Sequence, residues 1–317
     1  MKPLALIVVA LACAASAAAQ QYPARPVRMV VGFAAGGATD LSARFLAQKL
    51  SETLGQQVVV ENRPGAASTL ASEFVARGPA DGYTLLFANA TVAMPSLFAN
   101  LSFDVRKDLA PVSLVGYGPL VLVAHPSLPV KNVKELIALA NRRPGALNYG
   151  SAGVGSMTHL GMALFISMAR VDMLHVPYKG SSQASVGILT GEAQLMFTSP
   201  AAVMTQVRDG RLRALAVSGT TRSAVLPDVP TLSQAGLAGY DATSWYGVLA
   251  PSAAPQAAIT RLGDESAKAL AAPDLKERLL NQGIEPARGG AEEFRSYLAS
   301  EILKWAKVIK AAGILPQ

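Results

Sequence analysis

The chain has 317 residues, 51% hydrophobic and only 15% charged, with 28 Lys and Arg against 21 Asp and Glu for a net charge of +7. That describes a well-packed globular protein with room for two domains. No basic run is interleaved with aromatics, and the densest cluster (Arg208, Arg211, Arg213) flanks an Asp209-Gly210 turn, so nucleic-acid binding is excluded and mild steering of acidic small molecules fits better.

Met1 to Ala19 reads as an export signal: Lys2 is the positive end, Leu4 to Ala12 the apolar core, and Ala17-Ala18-Ala19 the small-residue cleavage site. Cys13 is the only cysteine. Leu11-Ala12-Cys13 invites a lipoprotein reading, but Ala10 stands where leucine is usual, and cleavage near Gln20 is favoured. The mature chain then has no disulfide and no thiolate chemistry.

Val27 to Phe33 is an apolar strand that breaks at Ala34-Ala35-Gly36-Gly37 and resumes with helical spacing at Leu41, Phe45, Leu46 and Leu50. The glycines admit close backbone approach, Thr39 or Asp40 can cap the helix, and its first N–H groups make an anion site. A short strand (Val58 to Val60), a small-residue helix (Ala66 to Ala76) and a strand (Tyr83 to Ala88) follow. Strands alternating with helices point to a parallel sheet covered by helices, with ligands beyond the strands' carboxyl ends.

Asp108 to Pro119 carries short apolar pieces broken by glycine and proline, and Leu120 to Ala124 is a strand crossing into new territory. From Lys131 the pattern restarts: helix (Val133 to Asn141), strand (Ala146 to Tyr149), glycine turn (Gly150 to Gly155), then a helix carrying Met157, Leu160, Leu164, Phe165 and Met168 with Ser156 as its cap. This is a second anion-friendly helix terminus. Strands at Met173 to Val176, Ala193 to Phe197 and Leu212 to Val217 alternate with helices at Ala184 to Thr190 and Val203 to Arg208. Trp245 to Leu249 is a strand that returns to the first domain, and the last helix has one apolar face through Phe294, Leu298, Ile302, Trp305 and Ile309.

Enzymatic chemistry has no assembled candidate. The serines lack a nucleophile elbow, the glycines fit neither a Walker loop nor a dinucleotide fingerprint, and His159 with Asp172 and His175 is only a weak metal candidate. Two neutral, amide-rich loops remain, suited to a compound with one or two carboxylates.

In this order, Tyr22-Pro23-Ala24-Arg25-Pro26, Phe33 to Asp40, Glu61-Asn62-Arg63-Pro64-Gly65-Ala66, Ala80 to Leu86, Tyr149 to Ser156, His175 to Gly180, Arg211 to Ala216 and Trp245-Tyr246-Gly247 resemble the substrate-binding proteins of tripartite tricarboxylate transporters, the Bug receptors. The resemblance implies an α/β, two-lobed periplasmic binding protein of type II, a Venus flytrap whose lobes are each a mostly parallel sheet flanked by helices. Lobe 1 would comprise 20–122 plus 244–317 and lobe 2 123–243. It implies a monomeric periplasmic solute receptor with no catalysis, metal or cofactor, which hands a small organic acid to membrane transport subunits. By the same carry-over Phe33, Ala34, Gly36, Gly37, Ala38, Thr39 and Asp40 clamp the ligand with Ser151, Ala152, Gly155 and Ser156. Ala88 and Asn89 line lobe 1, and His159, Tyr178, Lys179 and Thr198 are candidates on lobe 2.

Asp40 keeps two readings, as a pocket wall or as a first-turn carboxylate favoured by the helix dipole. Three departures from the family pattern stand out: Ala35 where proline is frequent, Ala67-Ser68-Thr69 in place of a glycine-rich run, and Thr198-Ser199 where an aspartate and asparagine are usual. The last disfavours a ligand amine. The alternatives are a secreted hydrolase or metal-dependent enzyme using His159 or Ser156, and a ligand sensor signalling to a membrane kinase. Di-, tri-, aromatic and nicotinate-like acids all suit the loops.

Overall fold

The first strand, β1 (Val27–Val31), is buried at every position but Arg28, as a strand covered by helices on both faces must be. It leads through the exposed Ala34 to Gly37 turn into α1 (Ala38–Leu54), β2 (Val58–Asn62), a 3-10 turn (Ala66–Ser68), α2 (Thr69–Ala76) and β3 (Thr84–Asn89). The structure, a computed structural model, describes residues 22–288 and 290–316, so the export signal expected at Met1 to Ala19 lies outside the described residues. No helix among the described residues is long and apolar enough to cross a membrane.

Two short 3-10 turns (Ala90–Ala93 and Pro95–Leu97) and α3 (Val105–Asp108) precede β4 (Leu109–Gly118). Where the sequence reads as broken apolar pieces, β4 is one strand of 10 residues. Its glycines serve close approach: a Cβ at Gly116 would lie 2.6 Å from the Glu285 carbonyl oxygen of a neighbouring strand. The chain then crosses to β5 (Val121–Ala124), α4 (Val133–Arg142), β6 (Asn148–Ser151), α5 (Met157–Ala169), β7 (Leu174–Pro177), α6 (Ser181–Leu189), β8 (Leu195–Thr198), α7 (Pro200–Arg208) and β9 (Arg213–Val217). It returns through β10 (Ser244–Pro251), α8 (Gln256–Ala271), α9 (Pro273–Asn281), β11 (Glu285–Pro286) and α10 (Ala291–Ala311).

Two sheets result, a six-stranded one in the order β11-β4-β10-β3-β1-β2 and a five-stranded one in the order β7-β6-β8-β5-β9. The first takes its strands from both ends of the chain, the second from the middle. Both sheets are mixed: β1, β2 and β3 pair in parallel, as do β6, β7 and β8, while the strands beside the two crossings, β4 and β10 in one sheet and β5 in the other, run antiparallel to their neighbours. Two such sheets flanked by helices are the expected α/β flytrap class.

One continuous apolar core joins the sheets, running from Val30, Leu86 and Trp245 through Leu160 and Phe197 to Phe294, Leu298, Ile302 and Trp305. The helix face read from the sequence in α10 is the face that packs, with β4 among its neighbours. Its acidic member Glu301 is also buried, at 3% exposure, which the apolar stripe alone does not announce. Both indole N–H groups, of Trp245 (3.2 Å) and Trp305 (3.0 Å), donate to Glu301 Oε2, and Lys304 Nζ pairs with Oε1 at 2.6 Å and with Asp241 at 3.1 Å.

Candidate functional site

The loop after β1 is held from below by a network that the sequence leaves invisible. The helix cap of α1 is Gly37, in extended conformation and with no side-chain capping bond, so neither Thr39 nor Asp40 caps as expected. Asp40 lies one turn in and reaches back: its Oδ2 accepts the Gly36 amide (2.9 Å) and Arg44 Nε (3.0 Å), while Oδ1 accepts Asn62 Nδ2 (2.8 Å). Asn62 also donates to the Phe33 carbonyl at 3.0 Å. Burial alone would raise the Asp40 carboxyl, yet hydrogen bonds from Arg44, Gly36 and Asn62 hold it below the usual carboxylate range. With 1% exposure and its oxygens engaged, Asp40 is a loop anchor rather than a wall of the site.

The consequence is an exposed loop tied at its base. Ala34 to Gly37 are exposed, Phe33 and Ala38 half-buried and Thr39 buried. Among the described residues the amides of Gly37, Ala38 and Thr39 have no protein acceptor, and they sit at the positive end of a 17-residue helix. Asn89, at the end of β3, donates to Thr39 Oγ1 at 3.3 Å and accepts from Thr91, while Ala88 is buried beside it. We expect Asp40→Ala to lower the unfolding free energy by about 1–3 kcal/mol, because it removes a buried carboxylate that accepts hydrogen bonds from Gly36, Arg44 and Asn62. A denaturant midpoint equal to that of the wild type would show that the network does not hold the loop.

The loop after β6 is built differently: most of its amides are already paired within it. Ala152 donates to Thr158 Oγ1 (2.9 Å), Gly153 to Ser151 Oγ (3.1 Å) and Gly155 to His159 Nδ1 (3.2 Å). Ser156 caps α5 as expected, accepting the His159 amide at 3.3 Å and donating to Gly153 O at 2.6 Å. Amides without a protein acceptor among the described residues are those of Val154, Met157 and Thr158. The capping role ties the Ser156 hydroxyl away from a nucleophile's geometry.

His159 and His175 do not stand apart. Register places His175 opposite Tyr149, and the rings of Tyr149, His175 and His159 stack, the two imidazoles 4.1 Å apart at 11°. Ser151 Oγ meets His175 Nε2 at 2.6 Å. Because His159 Nδ1 accepts the Gly155 amide, its proton belongs on Nε2. Burial and then the neighbouring His175 push His159 down to about 4, and burial lowers His175 as well. Asp172 packs against Gly145 in the preceding turn, and no group of three metal-ligating side chains occurs among the described residues.

Tyr178 and Lys179 take different places. The Tyr178 ring fills the space beside Gly150 and Gly187 that a Cβ would occupy, and packs with the apolar layer of α6, β8 and β9. Its backbone N–H, not its side chain, meets the loop, donating to Ser151 O at 3.0 Å. Lys179 is exposed, and Thr198 is buried at the end of β8.

An element missed by the sequence reading bridges the loops. Ala66, Ala67 and Ser68 are three successive non-glycine residues in the left-handed region, with φ of 44°, 49° and 78°. Such residues cost about 1–2 kcal/mol each, so surrounding contacts must hold them. Ser68 packs so tightly on Gly32 that a Cβ there would overlap it, and a Cβ at Gly155 would lie 3.9 Å from Ala67 and 3.1 Å from Leu97. The turn thus touches the base of one loop and the tip of the other. The only sequence signal is that Ala67-Ser68-Thr69 departs from a glycine-rich pattern.

A model described as the tripartite tricarboxylate transporter family receptor matches residues 42–314. BugT of Bordetella pertussis is 37% identical over 303 residues, 95% of this chain and 93% of that protein. Among solved structures, R. palustris Rpa4515 with adipate superposes with a TM-score of 0.87 at 35% identity, covering 93% of this chain and 100% of that one. The periplasmic binding protein BugD superposes with a TM-score of 0.84 at 34% identity and the same coverage.

Proposed function

Because the chain belongs to the tripartite tricarboxylate transporter receptor family, we propose that it is a periplasmic solute receptor. It closes two lobes, 20–122 with 244–317 and 123–243, on a small carboxylate and delivers it to the membrane subunits of a transporter of that type, without catalysis of its own. The observation that supports this reading is the contact chain from Gly32 through Ser68 and Ala67 to Gly155, which links the two loops, each followed by a helix N-terminus whose first amides have no protein acceptor among the described residues. A carboxylate takes hydrogen bonds from Gly37, Ala38 and Thr39 at one side and from Met157 and Thr158 at the other. Closure is a population shift produced by touching both lobes at once. The adipate in a 35% identical neighbour supports a dicarboxylate.

The test is thermal unfolding against a panel of organic acids. An acid held at 100 times its Kd stabilises the folded state by about 2.7 kcal/mol and raises Tm accordingly. Gly37 has φ of −81° and nothing closer to a Cβ than Ala34 O at 3.9 Å, so Gly37→Trp is expected to fold normally and to lose more than tenfold in affinity. Unchanged affinity in that variant would remove the loop from the site. Gly155 is a poorer probe, since its φ of +76° makes any side chain strained in the free protein as well.

A further inference from the structure

A cavity of about 290 Å³ shares no residue with the loops described above. It opens beside the chain crossings, between Tyr117 of β4, Glu285 of β11 and Tyr297 of α10 on one side and Thr221, Asp241 and Thr243 of the segment joining β9 to β10 on the other. Its polar groups are unequally engaged. Asp241 accepts from Thr243 N (3.0 Å), Thr243 Oγ1 (2.6 Å) and Lys304 Nζ (3.1 Å). Glu285, half-buried, has no ion pair and no side-chain hydrogen bond among the described residues, and neither phenol hydroxyl has a protein partner there. The rings of Tyr117 and Tyr297 meet edge to face, 5.5 Å between centroids at 89°.

The local field is negative although the chain carries +7. Burial raises the Tyr117 phenol, and Glu293 and Glu301 raise it further. Tyr297 is raised by burial, then by Glu301, Asp241 and Tyr117. An unpaired carboxylate beside two half-buried phenol rings in a small cavity is a combination that holds an organic cation, through one charge-assisted hydrogen bond and attraction to the rings. We propose that this cavity is a second ligand site, taking a small molecule that bears a protonated amine or a guanidinium. The cavity is at the small end of ligand pockets, which limits the guest to a compact one.

The probe is n-butylammonium chloride, titrated by calorimetry and ligand-observed NMR into the full protein at constant ionic strength, with n-butanol as its uncharged counterpart. The expected result is saturable binding of the ammonium alone, weakened at least fivefold by Glu285→Gln and by Tyr297→Leu but unchanged by Glu277→Gln, an exposed carboxylate of α9. Glu285 sits on a two-residue edge strand, so its amide variant keeps the fold, and an unshifted Tm verifies this. Equal response to the ammonium and the alcohol, equal weakening by the Glu285 and Glu277 variants, or no saturation in the millimolar range would each overturn the proposal. No organic acid enters the titration, so a failure here and a failure of the receptor reading are separate results.

Discussion

Glu301→Ala is expected to cost about 3–5 kcal/mol of unfolding free energy, the range for removing one partner of a buried charge network. Glu301 Oε2 is the acceptor for two fully buried indoles, and alanine leaves both N–H groups without a partner at the centre of the core that joins the sheets. Lys304 keeps Asp241 but loses its shorter contact of 2.6 Å. Glu301→Gln should lose less, since an amide oxygen can still receive the indoles. Denaturant unfolding with linear extrapolation measures the difference. A cost below about 1 kcal/mol for alanine would mean that the indoles find water or another acceptor.

Acid should loosen the second loop before it unfolds the protein. His159 is depressed from its ordinary 6.5 to about 4 in the folded state. Between those values the unfolded chain binds the proton and the folded one does not, so stability rises with pH across this window and is lost as pH falls from 6.5 toward 4. The full loss at the acid end is about 3 kcal/mol. Above 6.5 the imidazole is neutral in both states and contributes no slope. Protonation also turns Nδ1 from acceptor into donor, which ejects the Gly155 amide and frees the loop tip that touches Ala67 and Leu97. His175, stacked on it and likewise depressed, adds to the same slope. His159→Gln should flatten the acid limb of a plot of Tm against pH; an identical limb in that variant would assign the slope elsewhere.

Local pattern carried much of this architecture. The two strand-glycine-helix units, the return of the chain at Trp245 and the apolar stripe of α10 are periodic within a few turns, and periodicity is visible in one dimension. What escaped depends on register. Asp40 becomes an anchor only because β1 and β2 align Val31 with Asn62, 22 residues from Asp40 in sequence. The two histidines stack only because β6 and β7 align Tyr149 with His175. Strand β4 looked broken because its glycines answer to neighbours, not to a turn, and both its partners, β10 and β11, come from the far end of the chain. The slot that Gly150 and Gly187 leave for the Tyr178 ring likewise has no signal nearby in sequence.

Strand β10 lies between β4 and β3, so the first sheet is two separate fragments until residue 244 and beyond have arrived. A chain emerging from its N-terminus therefore completes the five-stranded sheet while β3 and β4 still present open edges, which are templates for association with other chains. The pairing that seals them spans more than a hundred residues, a long closure that slows folding. The early strands of this protein must wait for its last third, and in that interval they depend on being kept apart from one another's copies.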